Sequence, residues 1–229
     1  MATALLAAAG AGERLGAGTP KAVVEVAGRP LIAWSLEALN AAATVDRAVI
    51  AAPPAWEEAV ERIARAAAPS LAVTVIPGGT SRSQSVSNAL AALDGSDEVL
   101  VHDAARPLVT PELIDRCVGQ RRSWGCDGVV AAARAVDTIK EADAGGRVIA
   151  TLERSRLWAI QTPQVFRSES LGSALDKGDL SRAYDDAQLV EWIGGDIRIV
   201  EAPRQNFKVT TQHDLRVAEW LLEERERVR

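Results

Sequence analysis

Short, continuously apolar runs alternate along this chain with stretches of helical spacing, and that alternation leaves few folds open. Strands are predicted at residues 4–9, 47–53, 71–77, 98–102, 128–133 and 197–202. The first four are unbroken apolar runs, the pattern of strands buried on both faces. Helical spacing fills residues 31–43, 56–68, 83–93 and 111–121, with breaks at "ATVDRAV" and "PGGTSR". Further helices are predicted at residues 168–177, 185–192 and 211–227. Such alternation implies an α/β chain with a mainly parallel sheet and helices on both faces. Ligands of these sheets bind beyond the carboxyl ends of the strands. The loops that follow the strands are therefore the places to look for function.

Residues 136–157 break the rhythm. Two β-prone stretches flank "EADAGGR", whose "DAGG" is a turn signal. The segment reads as a hairpin that leaves the main sheet. A lone two-stranded hairpin is marginal in water, so it needs a partner surface, and a second copy of the chain is the natural one. Residues 1–229 are otherwise read as one domain, with 136–157 as an arm within it.

Composition narrows the class. An apolar share of 48% is ample for a core, and a net charge of −5 argues against a general nucleic-acid surface. No run approaches the roughly 20 apolar residues of a membrane span, and the N-terminus carries no charged region or cleavage site of a secretory leader. Cys117 and Cys126 lack CxxC spacing and read as structural thiols in a reducing compartment. His102 and His213 are too few and too far apart for a histidine metal site. A soluble, cytoplasmic protein with no membrane or nucleic-acid partner is expected.

The first loop reads "LLAAAGAGERLGAGTPKAV". It is not the dinucleotide fingerprint, which needs glycine at Leu15, nor a Walker A loop, since no Gly-Lys-Ser/Thr occurs. What remains is a run of small residues, Ala8 to Gly12, whose backbone N–H groups allow close approach of a phosphate or base. Arg14 and Lys21 would neutralise its charge. Alone, the loop could equally be a tight turn with two solvated cations. Three more loops weigh against that. "PGGTSRSQSV" opens a helix with glycines and hydroxyls, which suits an anion or a base edge, though serine capping gives the same pattern. "VLVHDAARP" puts Asp103 at a strand end, where it could hold Mg²⁺ or a hydroxyl with Arg106 orienting it, or form a structural pair with Arg106. "RQNFKVTT" puts Lys208 after the last strand. Arg14, Lys21, Asp103 and Lys208 thus fall at one edge of one sheet.

The ordered set "AAAGAGERLG…PK", "GGTSRSQSV", "VHDAARP", "DTIK", "ERSRLWAIQTPQ" and "NFKVT" resembles the 2-C-methyl-D-erythritol 4-phosphate cytidylyltransferases, over nearly the whole chain. The resemblance implies a Rossmann-like nucleotidyltransferase fold and a homodimer joined by exchanged β-arms. It also implies a Mg²⁺-dependent transfer of CMP from CTP to the polyol phosphate, with release of pyrophosphate, in non-mevalonate isoprenoid synthesis. By resemblance, Ala8, Ala9, Gly10 and Gly12 match the CTP loop, and Arg14 and Lys21 the pair that stabilises the transition state. Gly79 and Ser85 match cytosine and ribose contacts, with Ala104 beside the ribose. Arg154 and Lys208 match the residues that hold the acceptor phosphate. Asp103, Arg106, Thr138 and Thr162 match acceptor contacts, and Thr138 and Arg154 would serve the partner subunit's site. The chain departs from the pattern at "YDDAQ", where Tyr184 replaces the expected threonine, and Asp185 and Asp186 are given no catalytic role.

The chemistry suits these residues, because phosphoryl-type transfer needs positioning and charge neutralisation rather than covalent work. The residues leave two alternatives open. One is a sibling enzyme using another polyol phosphate such as ribitol 5-phosphate. The other is a non-catalytic CTP sensor, which would not need both Arg14 and Lys21.

Overall fold

A seven-stranded sheet carries the molecule in the order β11-β7-β10-β6-β1-β4-β5, where the strands are β1 (Ala2–Ala7), β4 (Val45–Ala52), β5 (Ala72–Pro77), β6 (Glu98–Asp103), β7 (Gly128–Arg134), β10 (Trp158–Arg167) and β11 (Ile197–Glu201). The structure, a computed structural model, describes residues 1–10, 12, 18–93 and 95–228. Between the strands run α1 (Leu31–Ala41), α2 (Glu57–Ala67), α3 (Arg82–Ala91), α4 (Pro111–Trp124), α5 (Ser168–Lys177), α6 (Asp186–Trp192) and α7 (Gln212–Val228). Two small ribbons stand apart: β2 (Glu25–Val26) with β3 (Arg29–Pro30), and β8 (Lys140–Ala142) with β9 (Val148–Thr151). The second lies within residues 136–157 and forms its own two-stranded sheet.

The pleat of β1 explains the layering. Successive side chains of a strand point to opposite faces. Leu6 packs with Ile50, Leu100, Ile32, Leu36 and Leu113, on the side of α1, α2 and α4. Leu5 packs with Val99, Val101, Phe166, Val86 and Leu171, on the side of α3, α5 and α6. Each fully buried side chain of this size contributes roughly 1.5–3 kcal/mol. A third cluster, with Val26, Trp34, Val209 and Leu222, docks α7 on the first ribbon. Helix ends follow local chemistry. The Thr110 hydroxyl accepts from the Leu113 N–H at 3.3 Å and Pro111 opens α4, while Gly125 closes it at φ 65°. Among the described residues no helix is long and apolar enough to cross a membrane.

Two sequence expectations need correction. Residues 158–167 carry no assignment from their pattern, yet β10 is a central strand, antiparallel to both β6 and β7. Pro163, Gln161, Thr162 and Gln164 interrupt its apolar run, and the pairing with β7 slips between Ile160 and Gln164. Four residues of β10 there span two of β7, a bulge-like slip of the kind that tolerates proline and re-aims side chains. The second concerns β5. It was expected to be buried on both faces, but none of its residues is buried, because it pairs only with β4 and forms the sheet's edge. All other pairings in the main sheet are parallel.

Candidate active site

Two adjoining clefts open at the carboxyl ends of the strands. The larger, about 620 Å³, is floored by Ala8, Ala9 and Gly10 after β1, by Gly79 to Arg82 at the start of α3, and by Asp103 to Ala105 after β6. The smaller, about 430 Å³, is lined by Arg106, by Gln161, Thr162 and Gln164 of β10, and by Tyr184 and Asp185. Among the described residues the clefts share Arg82, Asp103 and Lys208.

The first loop folds back on itself. Lys21 N–H donates to the Gly10 carbonyl at 3.3 Å. Gly12 sits at φ 72°, and a Cβ there would lie 2.8 Å from the Cβ of Lys21. Only glycine combines that backbone with that contact, so Gly12 sets where Lys21 leaves the loop. Lys21 lines the larger cleft. Arg14 lies outside the described residues.

The loop after β5 is braced from within. The Ser81 hydroxyl caps α3 by accepting from the Gln84 N–H at 3.1 Å. Ser85 Oγ accepts from the Gly79 N–H at 3.0 Å and donates to the Ser81 carbonyl at 2.9 Å. Ser85 thus uses its one hydroxyl proton to hold the loop, and it is buried. Gly78 presses on the first loop, since a Cβ there would collide with that of Ala9. The Ala104 N–H donates to the Ala7 carbonyl at 3.1 Å and ties β1 to the loop after β6.

Asp103 is the electrostatic centre. Its Oδ1 accepts from Arg82 Nε at 2.8 Å, and its Oδ2 pairs with Lys208 Nζ at 2.9 Å. The expected pair with Arg106 is its loosest contact, at 3.8 Å. Arg106 instead donates to the Asn206 carbonyl at 2.9 Å. Burial alone would raise the Asp103 pKa, but Arg82, Lys208 and Arg106 outweigh it and hold the carboxyl well below the usual range. Arg82 also donates to Asp186 Oδ2 at 2.8 Å. Burial leaves Asp186 raised in spite of that partner.

Thr162 is placed by the bulge of β10. Its hydroxyl accepts from the Asp103 N–H at 3.1 Å and lies 2.9 Å from His102 Nδ1. The site therefore puts Thr162 behind Asp103, as a brace for the strand end as well as a wall of the smaller cleft. Asn206 Nδ2 donates to Gln161 Oε1 and to the Thr162 carbonyl, both at 2.8 Å, and Val209 N–H donates to the Ala105 carbonyl at 2.8 Å. These bonds fix the segment carrying Lys208 against β6 and β10. Asp185 caps α6 and accepts from Gln164 Nε2 at 3.0 Å. Tyr184 stands at the rim and is 94% exposed, so it fills none of the smaller cleft's interior. Thr138 and Arg154 are exposed on the arm and line neither cleft of their own chain; Arg154 donates to the Val136 carbonyl at 2.6 Å.

Sequence reasoning missed Arg82, although it quoted the motif around it. A signal was present. Arg82 is the first residue of α3, where a cation opposes the helix dipole. A cation in that position needs anions nearby, and Asp103 and Asp186 are those anions.

Residues 2–224 match the protein family described as "IspD: 2-C-methyl-D-erythritol 4-phosphate cytidylyltransferase". The chain belongs to this family. A curated 2-C-methyl-D-erythritol 4-phosphate cytidylyltransferase of Nocardia farcinica is 44% identical over 222 residues, covering 97% of this chain and 94% of that protein. A crystal structure of the 4-diphosphocytidyl-2C-methyl-D-erythritol synthase from Anaerococcus prevotii superposes with a TM-score of 0.85 at 27% identity, over 97% of this chain and 98% of the other. The 2-C-methyl-D-erythritol 4-phosphate cytidylyltransferase from Thermus thermophilus gives a TM-score of 0.77 at 31% identity, over 97% and 98%. Membership makes the chain a nucleotidyltransferase, with CTP as co-substrate. It transfers a cytidylyl group to 2-C-methyl-D-erythritol 4-phosphate in the isoprenoid pathway. Of the acceptors left open by the residues, the family is the one named for the methylerythritol.

Proposed function

We propose that the two clefts divide the substrates of this cytidylyl transfer, CTP in the larger and the polyol phosphate in the smaller, meeting at Lys208 and Asp103. The observation that carries this reading is the shared wall of Arg82, Asp103 and Lys208, which brings the two openings side by side. In the larger cleft, Ala8, Ala9, Gly10 and Gly12 give the nucleotide close backbone approach, Gly79 and Ser85 are read as contacts of the cytosine and ribose, and Ala104 as lying beside the ribose. An oxygen of the acceptor phosphate attacks the α-phosphorus of CTP, the bond to the β-phosphate oxygen breaks, and pyrophosphate leaves with that electron pair. Two anions must approach each other, so fixed positive charge is the main requirement. Lys21 and Arg14 serve the triphosphate and the charge that builds up in the transition state. Lys208, with Arg106, Asp103 and Thr162 beside it, serves the acceptor.

Mg²⁺ fits this site only in a shared form. Among the described residues no group of three histidine, cysteine or acidic side chains could cage a metal. Asp103 is the one carboxylate lining the larger cleft among them, and it already faces three cations. Mg²⁺ commonly retains waters and relies on substrate phosphates plus one or two carboxylates. Asp103 is then the protein's oxygen donor, and the bound ion would supply further neutralisation of the triphosphate.

The arm at residues 136–157 is read as a dimerisation element. Val136, Ile139, Val148, Ile149 and Leu152 expose apolar surface along it, which a second chain would cover. Exchange of arms would bring Thr138 and Arg154 to the neighbouring acceptor cleft.

Pyrophosphate release tests the division. Wild type should turn over CTP with the methylerythritol phosphate and should disfavour ATP and GTP. Lys21→Ala should lower kcat by about 10²-fold, the scale of a lost charge-stabilising donor. A raised KM with kcat intact would limit Lys21 to substrate binding.

A further inference from the structure

Asp103 has two near cations, and they differ in freedom. Lys208 is 38% exposed at its side chain, Arg82 27%, Asp103 7% and Asp186 0%. Arg82 is held from behind by Asp186, whose Oδ1 is buried and finds no hydrogen-bond partner among the described residues. Lys208 is held by Asp103 alone among the ion pairs of the described residues. A phosphate entering the smaller cleft would compete with Asp103 for Lys208, the more exposed of the two cations.

We propose that Arg82 is a positioning residue that shares the charge of Asp103 and so sets how readily Lys208 is released to the acceptor phosphate, with Asp186 tuning Arg82 from behind. The inference rests on the reading of Lys208 as the acceptor's cation. Its logic is one of competition. Each carboxylate oxygen of Asp103 has its own cation, and both pairs draw on a single negative charge. Weakening the Arg82 pair strengthens the Lys208 pair. Removing the charge of Asp186 frees more of the Arg82 guanidinium for Asp103, and the hold on Lys208 loosens. The two substitutions act in opposite directions, whereas general damage to the site would move both the same way.

The test is the ratio of the acceptor KM to the CTP KM, measured in full-length Arg82→Gln, Asp186→Asn, Arg82→Gln/Asp186→Asn and Lys208→Ala. Removing one member of a buried ion pair is strongly destabilising, so the double variant, which removes both charges, covers the case in which Arg82→Gln does not fold. The expected ratio rises about 10-fold in Arg82→Gln and in the double variant, and falls two- to three-fold in Asp186→Asn. Lys208→Ala should raise it at least as much as Arg82→Gln. A ratio that stays fixed in Lys208→Ala overturns the reading of Lys208 and this inference with it. A ratio raised by Lys208→Ala but unmoved, or raised alike, by Arg82→Gln and Asp186→Asn overturns the inference alone.

Discussion

His102 is buried beneath the site, at the last step of β6 before Asp103. Its Nδ1 lies 2.9 Å from the Thr162 hydroxyl, and its Nε2 is buried without a partner among the described residues. Burial pushes the imidazole down to about 4, only partly opposed by Asp103. The unfolded chain takes up this proton near 6.5 and the folded chain only near 4. Between those values the unfolded state binds more protons, so stability rises with pH and falls as the pH drops through the window. The wild type should lose about 2 kcal/mol more than His102→Gln between pH 7 and pH 5, measured by urea unfolding at each pH. Equal losses would mean that the folded imidazole takes up its proton as readily as the unfolded one. Sequence placed His102 at the end of a strand expected to be buried on both faces, but its partner Thr162 lies 60 residues away. The same limit hid Arg82. Charge at a helix start is visible in a sequence, yet its partners Asp103 and Asp186 lie 21 and 104 residues away. Asp103 and Lys208, by contrast, were legible as sharing one edge of the sheet, because strand alternation puts the ends of β6 and β11 there; their direct pairing at 2.9 Å was not, since β10 and β7 lie between those strands.

At the scale of elements, the site depends on how closely the loops after β1 and β5 approach. Gly78 is where they touch. A Cβ there would collide with that of Ala9 and sit 3.0 Å from the Ala52 carbonyl oxygen. Neither neighbour is the end of a flexible side chain, so the backbone must part. Gly78→Ala should cost roughly 1–3 kcal/mol, the range for overpacking, and should raise the KM for CTP more than that for the acceptor. A thermal melt together with both KM values checks this, and an unchanged CTP KM would show that the two loops move independently. The helices and the parallel strands were readable because their periodicity or apolar continuity is local. β10 was not readable. Its centre, from Gln161 to Gln164, is polar and carries Pro163, and what makes it a strand is pairing with β6 on one side and β7 on the other. Those pairings are long-range, and the bulge that lets them coexist is also what turns Thr162 under Asp103.

On the scale of the whole molecule, the arm at residues 136–157 carries a two-stranded sheet of its own, outside the seven-stranded one. Its turn was legible in "DAGG", and Asp143 Oδ1 accepts from the Gly145 and Arg147 N–H groups at 3.0 and 2.9 Å there. Its expected cover, a second copy of the chain, was read from the marginal stability of a lone hairpin rather than from any pairing pattern. Arg154, at the base of the returning strand, faces neither cleft of its own chain, and a guanidinium is suited to bidentate contact with a phosphate. If two chains exchange arms, Arg154 acts in the neighbouring site. Subunit mixing tests this. Arg154→Ala and Lys21→Ala chains should each be nearly inactive alone. In a mixed dimer, one site combines the Lys21→Ala body with the Arg154→Ala arm and carries both defects. The other combines an intact Lys21 with an intact Arg154 and carries neither. Random re-pairing makes half the dimers mixed, each with one good site of two, so activity should recover to about a quarter of wild type. Absence of recovery despite proven subunit exchange would place Arg154 in the service of its own chain and would remove the arm from the reaction.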